Sequence, residues 1–188
     1  MASMHQLWRP GRVVWRGAFA LAATFVLLGG CERGAESNRP ARQVVRVGAE
    51  APSYRIATFG GDSLVVGPSP SVVLLNVWAT WCASCKEEFA LMDTLLQRHG
   101  PNGLRVVAVS VDVGSSAPVH RTVAEYAVTF EVAHDAEGEV ERRFPALGVP
   151  ASYLIGRDGR LLWKHVGVLP PSVDTVIAQA LAQDFAIE

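Results

Sequence analysis

The chain has no basic stripe, no internal repeat, no low-complexity tract and only three cysteines in 188 residues. Each absence removes a class of function. Without clustered Lys and Arg beyond the N-terminus, nucleic-acid binding is excluded. Residues 1–30 hold Arg9, Arg12 and Arg16 and no acid, and the remainder sets fourteen Lys/Arg against eighteen Asp/Glu. No second Cys-x-x-Cys and no paired histidines stand near Cys82 and Cys85, so a zinc site there would be half-built. Long apolar runs are missing too. The stretch from Ala18 to Leu28 is eleven residues, against roughly 20 for a helix that crosses a bilayer. What remains is 49% apolar and 19% charged, the composition of one ordinary globular domain with appendages.

The N-terminus accounts for its own charge. Three arginines, a short apolar stretch and Leu28-Gly29-Gly30-Cys31 fit a secretory signal peptide over residues 1–30. The segment also resembles a bacterial lipoprotein signal, in which a small residue precedes the cysteine that is lipidated; Gly29 is a less usual residue of that motif. The resemblance implies lipidation at Cys31 and attachment to a membrane. An uncleaved anchor extended by Val13, Val14 and Trp15 is the competing reading. Residues 31–47 then form a polar tether with a reach of roughly 20–25 Å, and residues 48–188 the folded domain. With Cys31 in the leader, Cys82 and Cys85 are the only cysteine pair of the exported domain. A bond between them closes four residues and adds little stability. In an oxidising compartment such a pair reads as reactive rather than structural.

Patterning along the domain alternates. Ile56–Phe59 and Leu64–Val66 flank Gly60-Gly61-Asp62-Ser63 as a hairpin. Val72–Trp78 is a nearly continuous apolar strand, as expected at the centre of a sheet covered on both faces. Cys82 opens a helix whose apolar residues Phe89, Met92, Leu95, Leu96 and His99 recur at helical spacing, and Gly100-Pro101 ends it. Leu104–Val111 is a second buried strand, Ala117–Ala127 a helix, Thr129–Ala133 a strand and Glu137–Arg143 a charged helix. Asp158-Gly159 joins Ser152–Ile155 to Leu161–Trp163 as a closing hairpin. Ser172 caps a last helix carrying Val173, Val176, Ile177, Ala180, Leu181 and Phe185 on one face. The order predicts an α/β sandwich with a mixed sheet.

Two thiols at i and i+3 on a first helical turn can close a disulfide, and the unpaired N–H groups there favour a thiolate. The segment Trp78-Ala79-Thr80-Trp81-Cys82-Ala83-Ser84-Cys85-Lys86-Glu87-Glu88-Phe89, with Gly148-Val149-Pro150-Ala151-Ser152-Tyr153-Leu154-Ile155 and Asp158-Gly159 downstream, resembles the TlpA/ResA family of membrane-anchored, thioredoxin-like thiol–disulfide oxidoreductases. The resemblance covers roughly residues 48–167. It implies a thioredoxin-like three-layer sandwich with a central mixed β-sheet and an added N-terminal β-hairpin.

On that resemblance Cys82 is the attacking thiol at an exposed helix start and Cys85 resolves the mixed disulfide. Ala83 and Ser84 tune the redox poise; Ser84 either bonds a thiolate or satisfies a backbone N–H. Trp81 shields the disulfide and shapes the docking surface, while Trp78 packs in the core. Pro150 is expected to be cis, with the Val149 backbone pairing an extended substrate segment. Glu88 either handles a proton beside the dithiol or is a solvated first-turn acid; Glu87 is a surface residue. Asn76 stands where thioredoxins commonly place a buried aspartate, which shifts any acid–base role to Glu88. The implied activity is reduction of protein disulfides outside the cytoplasm, cytochrome c haem-site cysteines among them. The implied partners are protein thiols and disulfides and a membrane thiol-electron donor, with no metal and no cofactor beyond the Cys82–Cys85 disulfide. The expected place is the outer side of the cytoplasmic membrane, or the outer membrane by lipoprotein sorting. Rival readings are a thiol peroxidase, which would need other residues at Leu75 and Ala79, and a copper chaperone using His134, read as a loop residue beside Asp135. A non-catalytic scaffold is the third. His120 and His165 read as exposed, and Glu137, Glu139, Glu141, Arg142 and Arg143 as a solvated helix face.

Overall fold

The computed structural model describes residues 45–183; the leader, Cys31, most of the tether and Phe185 lie outside them. Seven strands and five α-helices follow in the order β1 (Tyr54–Ala57), β2 (Ser63–Val66), β3 (Val72–Trp78), α1 (Ala83–Glu87), α2 (Phe89–His99), β4 (Leu104–Ser110), α3 (Ala117–Glu125), β5 (Glu131–His134), α4 (Glu139–Arg143), β6 (Ala151–Ile155), β7 (Leu161–Val166) and α5 (Val173–Gln183). The main sheet has the order β5-β4-β3-β6-β7. Strands β3, β4 and β5 are mutually parallel and β6 and β7 join antiparallel. This is a thioredoxin-like fold, with β1–β2 as a separate two-stranded sheet.

Strand β3 sits at the centre and is buried along its whole length, because its successive side chains feed two cores. Val72, Leu74 and Trp78 meet Met92, Leu95, Val119, Ile177 and Leu181 on the face covered by α2, α3 and α5. Val73, Leu75 and Val77 meet Leu64, Val140, Phe144 and Tyr153 on the other face. The apolar run is therefore the signature of a strand between two layers. Val45 is already buried in the second core, and its carbonyl accepts from Lys164 Nζ at 2.9 Å.

The hairpin has a second task. The backbone N–H of Phe59 donates to Val132 O at 2.8 Å, and Thr58 bridges Ala133. These contacts cover edge strand β5, and the Phe59 ring stacks on His120 at 3.8 Å. Exposed His120 is thus a stacking partner. His165 is only half-exposed, with Nε2 3.1 Å from Val168 O.

Several boundaries differ from the sequence expectation. Helix α3 ends at Glu125, where Ala127 turns left-handed at φ 48°. Thr129 gives its N–H to Asp93 rather than to the sheet, so β5 starts later. Gly138 at φ 66° delays α4 to Glu139. The helix opened by the cysteines is interrupted: α1 ends and α2 begins at Glu88. At the closing hairpin Gly159 has φ 81°, and a Cβ there would lie 2.9 Å from Pro68 N, which only glycine tolerates.

A candidate dithiol site at the end of the central strand

After Trp78 the chain leaves the C-terminal end of β3 through Ala79-Thr80-Trp81, and Cys82 caps α1. The Cys82 N–H donates to Ala79 O at 3.1 Å, which draws the turn tight. Cys82 and Cys85 are joined by a disulfide. The Cys85 backbone N–H points at Cys82 Sγ from 3.2 Å, and the Ser84 hydroxyl lies 3.5 Å from the same sulfur. These are the donors that hold a thiolate when the bond opens. Cys82 is less exposed than a helix start suggested, at 6%, because it packs into the same core as Trp78 and Phe89; Cys85 is fully buried. Access is therefore to Cys82 first. Trp81 beside it is 72% exposed, Trp78 is buried against Phe89 with ring centroids 5.0 Å apart, Ala83 is exposed and Ser84 half-buried.

Strand β6 runs antiparallel to β3 with Val77 opposite Ala151, so the residues before it arrive at the same end of the sheet. The Val149–Pro150 peptide is cis. Pro150 is buried, Val149 half-buried, and Leu147 projects at 98% exposure. Val113, just past β4, is 90% exposed.

Glu88 occupies the break between α1 and α2 and is 1% exposed. Its Oε1 accepts from Asn76 Nδ2 at 2.7 Å, and its Oε2 accepts from the Leu169 N–H at 2.9 Å. Burial raises its pKa above the ordinary carboxylate range; the bonds from Leu169 and Asn76 act the other way without cancelling it. The solvated-acid alternative is not what the structure shows. Glu87 is exposed.

One residue of the site escaped the sequence reading. Asp112, just past β4, accepts from the Thr80 N–H at 2.9 Å, the Thr80 hydroxyl at 2.6 Å and the Ser110 hydroxyl at 2.6 Å. Burial pushes its carboxyl up, but the bonds from Ser110 and Thr80 outweigh burial and hold it below its usual range. The Thr80 carbonyl accepts from Lys86 Nζ at 3.1 Å. The turn that delivers Cys82 is thus fixed from both ends. The available signal was position, since sites in open α/β sheets gather past the C-terminal ends of the strands. His134 is the last residue of β5 rather than a loop residue, and its Nε2 lies 2.7 Å from Asp112 O. Arg142 and Arg143 pair with Glu139 on a largely exposed α4.

The AhpC/TSA family model matches residues 47–164. The chain belongs to the AhpC/TSA family. Among curated relatives, the thiol-disulfide oxidoreductase ResA of Oceanobacillus iheyensis is 35% identical over 124 residues, covering 63% of this chain and 64% of that protein. ResA of Bacillus subtilis is 27% identical over 133 residues, covering 70% and 74% respectively. A Chlorobium tepidum crystal structure named for the thiol:disulfide interchange protein DsbE superposes with a TM-score of 0.68 at 30% identity, over 73% of this chain and 99% of that one. These relatives are named for thiol–disulfide exchange, and the superposed structure shares the thioredoxin-like fold.

Proposed function

We propose that the chain is an extracytoplasmic thiol–disulfide oxidoreductase that works as a reductase of protein disulfides. The observation that carries this reading is the Cys82–Cys85 disulfide at the head of α1, with its less buried sulfur, that of Cys82, facing the Cys85 N–H and a buried carboxyl three residues beyond Cys85. In the reduced protein the Cys82 thiolate attacks one sulfur of a substrate disulfide. That S–S bond breaks, a Cys82–substrate bond forms, and the other substrate sulfur leaves as a thiolate. Cys85 then gives its proton to Glu88 and attacks Cys82 Sγ, closing the Cys82–Cys85 bond and releasing the second substrate thiolate. Two electrons pass from the dithiol to the substrate, and no cofactor enters. Trp81 and the Val149-Pro150 edge form the docking side, where an extended segment can pair with the Val149 backbone.

A dithiol donor must reduce the pair again, and a membrane thiol-electron donor suits a protein held near a bilayer. That placement rests on the leader and on lipidation of Cys31, outside the described residues; among the described residues no helix is long and apolar enough to cross a membrane. Cytochrome c haem-site cysteines are candidate substrates. The test is direct: Cys82→Ser should abolish insulin-disulfide reduction, and Cys85→Ser should accumulate mixed disulfides with partners. Wild-type-like turnover by Cys82→Ser would sink the reading.

A further inference from the structure

The Asn76 amide carries an unexplained feature. Its Nδ2 donates to both Glu88 Oε1 at 2.7 Å and Ser152 Oγ at 2.9 Å, whereas its Oδ1 is buried without a protein hydrogen-bond partner among the described residues. All three residues are at most 1% exposed. A carboxylate only accepts, so ionised Glu88 requires the NH2 end of the amide to face it. When Glu88 takes a proton, Oε2 is still held by the Leu169 N–H, so the proton sits on Oε1. With its hydrogen turned toward the amide, that O–H meets an NH2 group, donor against donor. One rotation of the amide resolves the conflict. Oδ1, with two lone pairs, accepts from the Glu88 O–H and from the Ser152 hydroxyl at once, and Nδ2 moves to the partnerless side. The two orientations are matched in count, two donated bonds in one and two accepted bonds in the other, and the free end of the amide stays free in both.

We propose that Asn76 is an amide switch that turns over with each proton Glu88 takes or gives, keeping Glu88 hydrogen-bonded in both states of the cycle. Asn76 is a positioning residue that acts through Glu88. The inference rests on the assigned reaction, in which Glu88 receives the Cys85 proton. Other charged and titratable groups on the elements around Glu88 are engaged elsewhere. Lys86 bonds Thr80 O, Lys164 bonds Val45 O, Tyr153 donates to Phe144 O, His165 sits on Val168 O and Glu87 is exposed. On α2, Asp93 accepts from the Thr129 N–H, and Arg98 and His99 pair with Asp174 of α5. Among the described residues this leaves, besides Glu88, the two thiols of the opened disulfide as the groups at the switch.

Nuclear magnetic resonance on the 15N-labelled protein tests it without turnover. The Asn76 side-chain NH2 signal, assigned by its loss in Asn76→Leu, should show a through-space contact to the Ser152 β-protons above the Glu88 midpoint and lose it below. Glu88→Gln must turn its carbonyl to the Leu169 N–H and its NH2 to Asn76, so the contact should be absent at every pH. A contact that persists across the titration or in Glu88→Gln overturns the switch, as does a transition that vanishes in His165→Gln. In the reaction, Asn76→Leu should move the pH midpoint for Cys85-driven release of a Cys82–glutathione mixed disulfide upward by about one unit, tenfold in rate below the midpoint. An unmoved midpoint in a folded Asn76→Leu counts against it, and if that variant does not fold the wild-type and Glu88→Gln spectra decide. Retained insulin reduction by Cys82→Ser would instead fail the assigned reaction while leaving the amide result standing.

Discussion

At the residue scale the site turns on two carboxyls pushed in opposite directions. Glu88 is raised by burial, so the folded chain holds that proton at pH values where the unfolded chain has released it. Its contribution to stability is present below the ordinary carboxylate value and is lost as pH rises through the raised one. Glu88→Gln should therefore melt progressively higher than wild type as pH increases across that interval, read as the difference in Tm. It should also slow closure of the Cys82–Cys85 bond by about 10²-fold, the usual share of a positioned acid–base group, in stopped-flow release from a mixed disulfide. Asp112 is lowered by its donors, so its contribution persists at neutral pH and fades only as pH falls through the depressed value. Asp112→Ala strands the Thr80 N–H and should cost about 1–3 kcal/mol in urea unfolding. Sequence showed Cys82 and Cys85 because their spacing is local. It left the burial of Glu88 open, because the groups that bond it, Asn76 and the Leu169 N–H, come from distant parts of the chain.

At the scale of elements, the break at Glu88 is what the helical periodicity concealed. Phe89, Met92 and Leu95 keep their spacing through α2, so an apolar pattern alone predicts one helix, yet the chain restarts at a buried acid. Phe89 packs edge-on against Trp78 and Phe130 at 5.0 and 5.6 Å, in the same core cluster as the two cysteines. Phe89→Ala should cost about 3–5 kcal/mol by leaving a cavity there, measured as the urea midpoint at unchanged slope. The closing hairpin was legible from Asp158-Gly159, since the turn needs a positive φ that the dipeptide supplies. Gly159→Ala places a Cβ against the Pro68 backbone and should destabilise by more than the ~1 kcal/mol typical of the backbone effect.

For the whole molecule, the alternation of elements was enough to specify a two-faced mixed sheet, because each apolar run had only one kind of layer to enter. The placement of the β1–β2 hairpin over β5 was not legible. Its contacts, Phe59 N–H to Val132 O and the Phe59–His120 stack, join segments with no shared local pattern. The result is a sheet with one edge covered and an open docking end where Trp81, Leu147 and Val113 project. That architecture suits the proposed exchange, in which Cys82, the less buried of the two cysteines, reacts first. In the proposed reaction this sulfur delivers electrons. The midpoint potential of the Cys82–Cys85 pair measures this most directly: a value near that of thioredoxin, about −270 mV, is predicted, and one near about −120 mV, that of a strong oxidant, would contradict it.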